Sequence, residues 1–151
     1  MRLTLHTDYA LRVLVHVGLR EGELVTISEI ADCYAISKNH LTKVVHQLGR
    51  AGYLETVRGK YGGVRLLMQP EEVRLGEFVR RTEEDFALAR CMREGTECDG
   101  EEACLLQGGC VARLAFGQGL AAFFEALDRY TLADMIAAEG RRCMWPKAAC
   151  G

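Results

Sequence analysis

Thr26-Ile-Ser-Glu-Ile-Ala-Asp-Cys-Tyr-Ala-Ile-Ser37-Lys-Asn-His-Leu-Thr-Lys-Val-Val-His-Gln-Leu48 is the stretch on which the fold turns. Thr26 and Glu29 stand at capping-box spacing, so they open a short helix that runs to about Cys33. Tyr34-Ala-Ile36 is a tight turn, and Ser37 caps a second helix running to about Ala51. Leu41, Val44, Val45 and Leu48 recur at helical spacing and form one inward stripe, and Gly52 follows as a C-cap. Two helices joined by so short a turn have helix-turn-helix spacing. The outward face of the second helix carries Lys38, Asn39, His40, Thr42, Lys43, His46 and Gln47. Each can donate a hydrogen bond to a phosphate or a base edge. An ordinary solvated face is also polar, but no acid occurs between Ser37 and Arg50, which favours DNA. Together with Ser37, these are the candidate DNA-binding residues of the helix.

Working outward, Tyr53-Leu-Glu-Thr-Val57 and Val64-Arg-Leu-Leu67 are β-prone runs on either side of Arg58-Gly-Lys-Tyr-Gly-Gly63. This predicts a hairpin, and a hairpin directly after a helix-turn-helix is a wing. Arg58 and Lys60 at its tip would meet phosphate or the minor groove. Upstream, Thr7 is positioned to cap a first helix through about Arg20, with Ala10, Leu11, Leu14, Val17 and Gly18 on one face and Gly22 as its end. Downstream of Pro70, a short helix is expected from Leu75 to about Thr82. The expected class is mainly α: a winged helix-turn-helix with a small β-hairpin wing.

Charge agrees. The chain's net charge is −2, yet residues 1–65 carry nine Lys and Arg against six Asp and Glu. Residues 66–151 carry ten against fifteen, and within 37–65 there are six basic residues and one acid, Glu55. That is the one-sided basic footprint of a nucleic-acid reader.

The second half is organised around Cys98-Asp-Gly-Glu-Glu-Ala-Cys104-Leu-Leu-Gln-Gly-Gly-Cys110. Three thiols at a spacing of six, among Gly100, Gly108 and Gly109, suit a loop that gathers sulfurs around one point. Thiolates ligate iron–sulfur clusters and zinc. Cys91 precedes Cys98 by seven residues and competes as the first ligand. From about Cys110 to Leu127 a helix is apolar on more than one face, through Val111, Leu114, Phe116, Leu120, Phe123 and Phe124. Few elements remain in a 151-residue chain to cover it, so a dimer helix is expected. Thr131 caps a last helix to about Ala138. The expected organisation is a DNA-binding unit at 1–70, a cluster loop and dimerisation helix at 71–138, and a flexible tail at 139–151. Cys33 is expected in the core, and Cys143 and Cys150 in the tail. There is no membrane-length apolar run and no signal-peptide pattern, so a cytoplasmic location without membrane contact is expected. No nucleophile–base pair argues for an enzyme.

The opening Met1-Arg-Leu-Thr, Thr7-Asp-Tyr-Ala-Leu-Arg12, Ser37-Lys-Asn-His-Leu41, Val57-Arg-Gly-Lys-Tyr-Gly-Gly-Val-Arg-Leu66, the three-cysteine loop and Tyr130-Thr-Leu-Ala-Asp134 together resemble the NsrR/IscR group of winged-helix iron–sulfur transcriptional repressors. The resemblance covers about residues 1–138. It implies a homodimer on palindromic double-stranded DNA, with the state of an iron–sulfur cluster setting the affinity. Within the group the fourth ligand differs. The IscR type uses a histidine three residues after the third cysteine, where this chain has Arg113. The nitric-oxide-sensing NsrR type uses an aspartate of the first helix, matched here by Asp8. The resemblance therefore implies Cys98, Cys104 and Cys110 from one chain and Asp8 of the partner subunit. It favours a 4Fe–4S cluster, with 2Fe–2S as the alternative, and nitric oxide as effector. Asp8 also suits the first turn of a helix on electrostatic grounds alone, and Arg12, one turn on, is in reach of it. An iron- or redox-status regulator of the same family, or a zinc-stabilised one, are the competing readings.

Overall fold

The computed structural model describes residues 2–20, 22–92 and 110–141. Six helices and one hairpin form the described chain: α1 Leu5–Gly18, α2 Ile27–Tyr34, α3 Lys38–Arg50, β1 Leu54–Val57, β2 Gly63–Leu66, α4 Leu75–Thr82, α5 Val111–Leu127 and α6 Leu132–Arg141. Single 3-10 turns occur at Pro70–Glu72 and Arg90–Met92. The fold is mainly helical, as the sequence pattern requires.

The two helices of the central motif start where their caps dictate. Thr26 Oγ1 accepts the Glu29 N–H at 3.2 Å while Glu29 accepts the Thr26 N–H at 2.7 Å. These bonds to Thr26 also hold the Glu29 carboxyl below its ordinary pKa. Ser37 Oγ accepts the His40 N–H at 3.3 Å. Between them Ala35 adopts the left-handed conformation, φ +53°, closing the turn at some backbone cost for a residue with a Cβ.

The first helix begins earlier than its sequence suggests. Its cap is Thr4, whose Oγ1 accepts the Thr7 N–H at 3.3 Å, and not Thr7 itself. Thr7 lies inside the first turn, fully buried, and its hydroxyl donates to Thr82 Oγ1 of α4 at 3.0 Å. A residue already inside the helix does not have the extended backbone of an N-cap, and the tertiary partner of Thr7, half-buried Thr82, is distant in sequence. The helix ends at Gly18 rather than Arg20.

Strands β1 and β2 pair antiparallel, Leu54 opposite Leu66 and Val57 opposite Gly63, with Glu55 and Arg65 joined by a 2.7 Å ion pair. Val25 adds a one-residue bridge to Val64, so the hairpin is anchored to the segment before α2. The two glycines at the wing are steric necessities. A Cβ on Gly62 would collide with the Val57 carbonyl oxygen, and one on Gly63 would come within 2.7 Å of Val25 O.

The core is built by Leu14 and Val13 of α1, Ile30 of α2, Leu41 of α3, Val64 of the wing and Phe78 of α4, all essentially buried. α6 closes one side: Leu132 N–H donates to Val73 O at 2.9 Å and Leu75 N–H to Tyr130 O at 2.9 Å. α4 is tied to the end of α5 by Arg80, which forks onto both Asp128 oxygens at 2.7 and 2.8 Å and lies 4.1 Å over the Phe124 ring. Only Phe124 of α5 is buried. Val111 and Leu114, nearer its start, are 77% and 63% exposed.

Candidate nucleic-acid interface

The inward stripe Leu41, Val44, Val45 and Leu48 is buried, which leaves the opposite face of α3 in solvent. Ser37, Lys38, Asn39, His40, Thr42, Lys43, His46 and Gln47 are all exposed on it. The structure thus brings the sequence-predicted residues together on one accessible surface. Thr42 differs from the others in one respect: its hydroxyl donates to the Lys38 carbonyl at 2.8 Å, so it faces an incoming group as an acceptor. The wing tip presents Arg58 and Lys60, both exposed. Beside them Tyr61 is 83% exposed, with Lys60 Nζ 5.5 Å from its ring centroid. Tyr61 is not among the sequence-predicted residues, although its setting, an aromatic between basic and glycine residues in a turn, is a signal in the sequence.

Two further contacts bind this surface to α1. The Tyr9 ring stacks on the His40 imidazole, centroids 6.4 Å apart and planes 29° from parallel. Arg12 lies 5.8 Å from the ring centroid of Tyr34, the last residue of α2. On the inner side of the same helix His16 is buried and meets Tyr34 edge-on at 5.6 Å. Its Nε2 has no hydrogen-bond partner, and burial, with Arg20 adding, pushes its pKa below the ordinary value against the opposing effect of Glu29.

Of the expected metal ligands, Cys98 and Cys104 lie outside the described residues. Cys110 is a half-buried free thiol at the N-cap of α5, and its sulfur makes no capping hydrogen bond. With Arg113, Leu114, Gly117, Gln118 and Ala121 it lines an open groove along the exposed face of α5. Asp8 is half-exposed in the first turn of α1 and pairs with Arg12 at 3.0 Å. Both are accessible donors with no buried duty, so the chemistry of the residues placed fits thiolate and carboxylate ligation. Among the described residues, no three His, Cys, Asp or Glu side chains converge on a point. Cys91 is half-buried in the turn at Arg90–Met92. Cys33 is half-buried rather than in the core, because its α2 position faces the rim of the stripe set by Ile30 and Ala31. Cys143 and Cys150 lie outside the described residues. No described helix is long and apolar enough to cross a membrane.

A helix-turn-helix with an acid-free outer face, followed by a basic wing, defines a winged-helix DNA-binding regulator. The chain belongs to the Rrf2 family, described as iron-dependent transcriptional regulators, whose model matches residues 3–138. It is similar to the HTH-type transcriptional regulator NsrR of Bacillus subtilis, 44% identical over 137 residues that make up 90% of each chain. The NsrR of Bacillus licheniformis is 46% identical over 90% of this chain and 92% of that one. Among solved structures, CymR, the global cysteine regulator of B. subtilis, aligns over 91% of this chain and 98% of its own, with a TM-score of 0.70 at 23% identity. T. potens IscR aligns over 95% and 92%, with a TM-score of 0.67 at 24% identity. These two establish the winged-helix fold. The chain is a transcriptional regulator of the NsrR type and not an enzyme.

Proposed function

We propose that this chain is a repressor that binds a palindromic operator as a homodimer and releases it when nitric oxide damages an iron–sulfur cluster. The observation that carries the reading is the 44–46% identity, over nine-tenths of each chain, to regulators named NsrR. The pattern of donors supports it. Cys98, Cys104 and Cys110 would hold the cluster, 4Fe–4S by preference, through thiolates, and Asp8 of the partner subunit through a carboxylate oxygen. When bound, the cluster supplies iron that reacts with nitric oxide. A carboxylate is a hard donor in an otherwise soft set, which makes its position the weak one. Asp8 has a second partner within reach, Arg12, which would satisfy its charge away from a ligand position. The switch requires only that the two placements of Asp8 favour different dimer geometries. On the DNA side, Lys38, Asn39, His40, Lys43, His46 and Gln47 would read or flank the major groove. Arg58, Lys60 and Tyr61 would engage backbone and minor groove.

A second reading has one observation in its favour. The family is described as iron-dependent, which suits a sensor of iron or cluster supply with a 2Fe–2S cluster. Anaerobic purification with iron, acid-labile sulfide and zinc analysis separates the cases. The first reading expects about four irons and four sulfides per chain with brown absorbance. Two irons favour the second, and zinc without sulfide contradicts both.

A further inference from the structure

Tyr9 stands outside the helix-turn-helix in sequence, yet its ring is stacked on a residue of the recognition helix. The centroid separation to His40 is 6.4 Å and the interplanar angle 29°, within the range of offset aromatic pairs. The two partners differ in freedom. Tyr9 is half-buried and packs against the core. His40 is exposed, and its backbone N–H donates to Ser37 Oγ. His40 is also the third residue of α3, in the first turn, which is where recognition helices present side chains to base edges. A free imidazole there would lose rotamer freedom on binding, whereas one already flanked by a fixed ring would lose less.

We infer that Tyr9 is a positioning residue for base reading: its ring, packed against the core, holds the plane of the His40 imidazole for one base pair of the operator. The inference rests on the DNA-binding reading of α3 and needs no ligand at Asp8. Lys38 and Lys43 on the same face have no such flanking ring among the described contacts, which suits residues that meet phosphate. Tyr9 would thus sharpen specificity without touching DNA.

The test uses the full chain, prepared anaerobically, and a duplex selected by the wild-type protein from a randomised pool. Affinity is measured for that duplex and for each single-base-pair variant of it. His40→Ala identifies the base pair that His40 reads. Tyr9→Leu and Tyr9→Met keep apolar volume but remove the ring, and Tyr9→Phe keeps the ring. Discrimination at the His40 base pair should fall about five-fold or more in Tyr9→Leu or Tyr9→Met, and stay within about two-fold of wild type in Tyr9→Phe. Discrimination elsewhere should hold, and adding Tyr9→Leu to His40→Ala should cost nothing further. A purely structural Tyr9 would lower affinity for every duplex alike and leave the ratios unchanged, and that result overturns the inference. Independent, additive effects of Tyr9 and His40 overturn it too. If His40→Ala relaxes no base pair while selection still yields a defined site, then His40 is not a reader and Tyr9 has nothing to position. If selection yields no defined site at all, the DNA-binding reading fails first.

Discussion

Asp8 and Arg12 face each other one helical turn apart on α1, Oδ2 to Nη2 at 3.0 Å, and the same guanidinium lies 5.8 Å from the ring centroid of Tyr34. Tyr34 ends the first helix of the DNA-binding motif. The carboxylate proposed as a cluster ligand is therefore two contacts away from the helix-turn-helix. As a half-exposed ion pair, Asp8–Arg12 contributes little to stability, on the order of 0.5 kcal/mol. A weak pair of this kind suits a switch, because exchanging it for a ligand bond costs little.

Asp8→Ala should keep the fold and retain a cluster on three thiolates, while the ratio of DNA affinities between cluster-bound and cluster-free protein shrinks. Arg12→Ala should keep the cluster and shrink the same ratio, by removing the alternative partner. Visible absorbance and DNA titration check both. Normal switching in Asp8→Ala removes Asp8 from the site. Cys98→Ala, Cys104→Ala and Cys110→Ala should lose the absorbance and Cys91→Ala should keep it; the reverse for Cys91 and Cys98 shows the wrong first cysteine.

At the wing, Lys60→Ala should weaken all duplexes alike and reduce the slope of log affinity against log salt by about 1, as one phosphate contact is lost. Tyr61→Ala should weaken binding with the salt slope intact, since a neutral ring releases no counterion. A change of slope for Tyr61 and none for Lys60 would reverse these roles.

The exposed start of α5 should be covered in solution. Val111→Glu with Leu114→Glu, one helical turn apart, places charge on the exposed apolar face proposed to meet a second copy, and should convert a dimer to a monomer by sedimentation. A wild-type chain that sediments as a monomer at micromolar concentration, cluster in place, contradicts the homodimer and the borrowed Asp8 together.

Buried His16 makes stability depend on pH. Its folded pKa lies below the unfolded value of 6.5, lowered first by burial and then by Arg20. Above pH 6.5 both states leave it neutral and its contribution is complete; as pH falls through 6.5 toward the folded value, the unfolded chain gains a proton the folded one does not, and stability drops. Thermal melting compared above and below about pH 6.5 should show a steeper loss in wild type than in His16→Leu, which gives up no hydrogen bond at Nε2. Parallel losses in the two proteins would discount His16.

What the sequence made legible was local. The caps at Thr26 and Ser37 and the stripe from Leu41 to Leu48 lie within a few residues of the positions they control, so periodicity and spacing reveal them. Thr7 misled because two threonines, Thr4 and Thr7, stand a turn apart at the start of the chain, and only the contact of Thr7 with Thr82 shows which one is occupied elsewhere. The Val25–Val64 bridge involves one residue on each side and leaves no pattern. Tyr9 on His40 and Arg12 on Tyr34 join separate helices, so neither follows from spacing. For the ligand set, spacing could propose the three thiols, but Asp8 came from family resemblance, because nothing local distinguishes a ligand from an ordinary first-turn acid.

The most direct measurement is titration of anaerobically purified protein with its selected duplex, before and after stoichiometric nitric oxide, with absorbance followed in the same samples. The account predicts brown protein that binds the duplex tightly, then bleaches and loses at least about ten-fold in affinity as nitric oxide is added. Protein that bleaches yet holds the duplex with unchanged affinity, or that binds it equally well without any cluster, would contradict the claim that the cluster governs DNA binding.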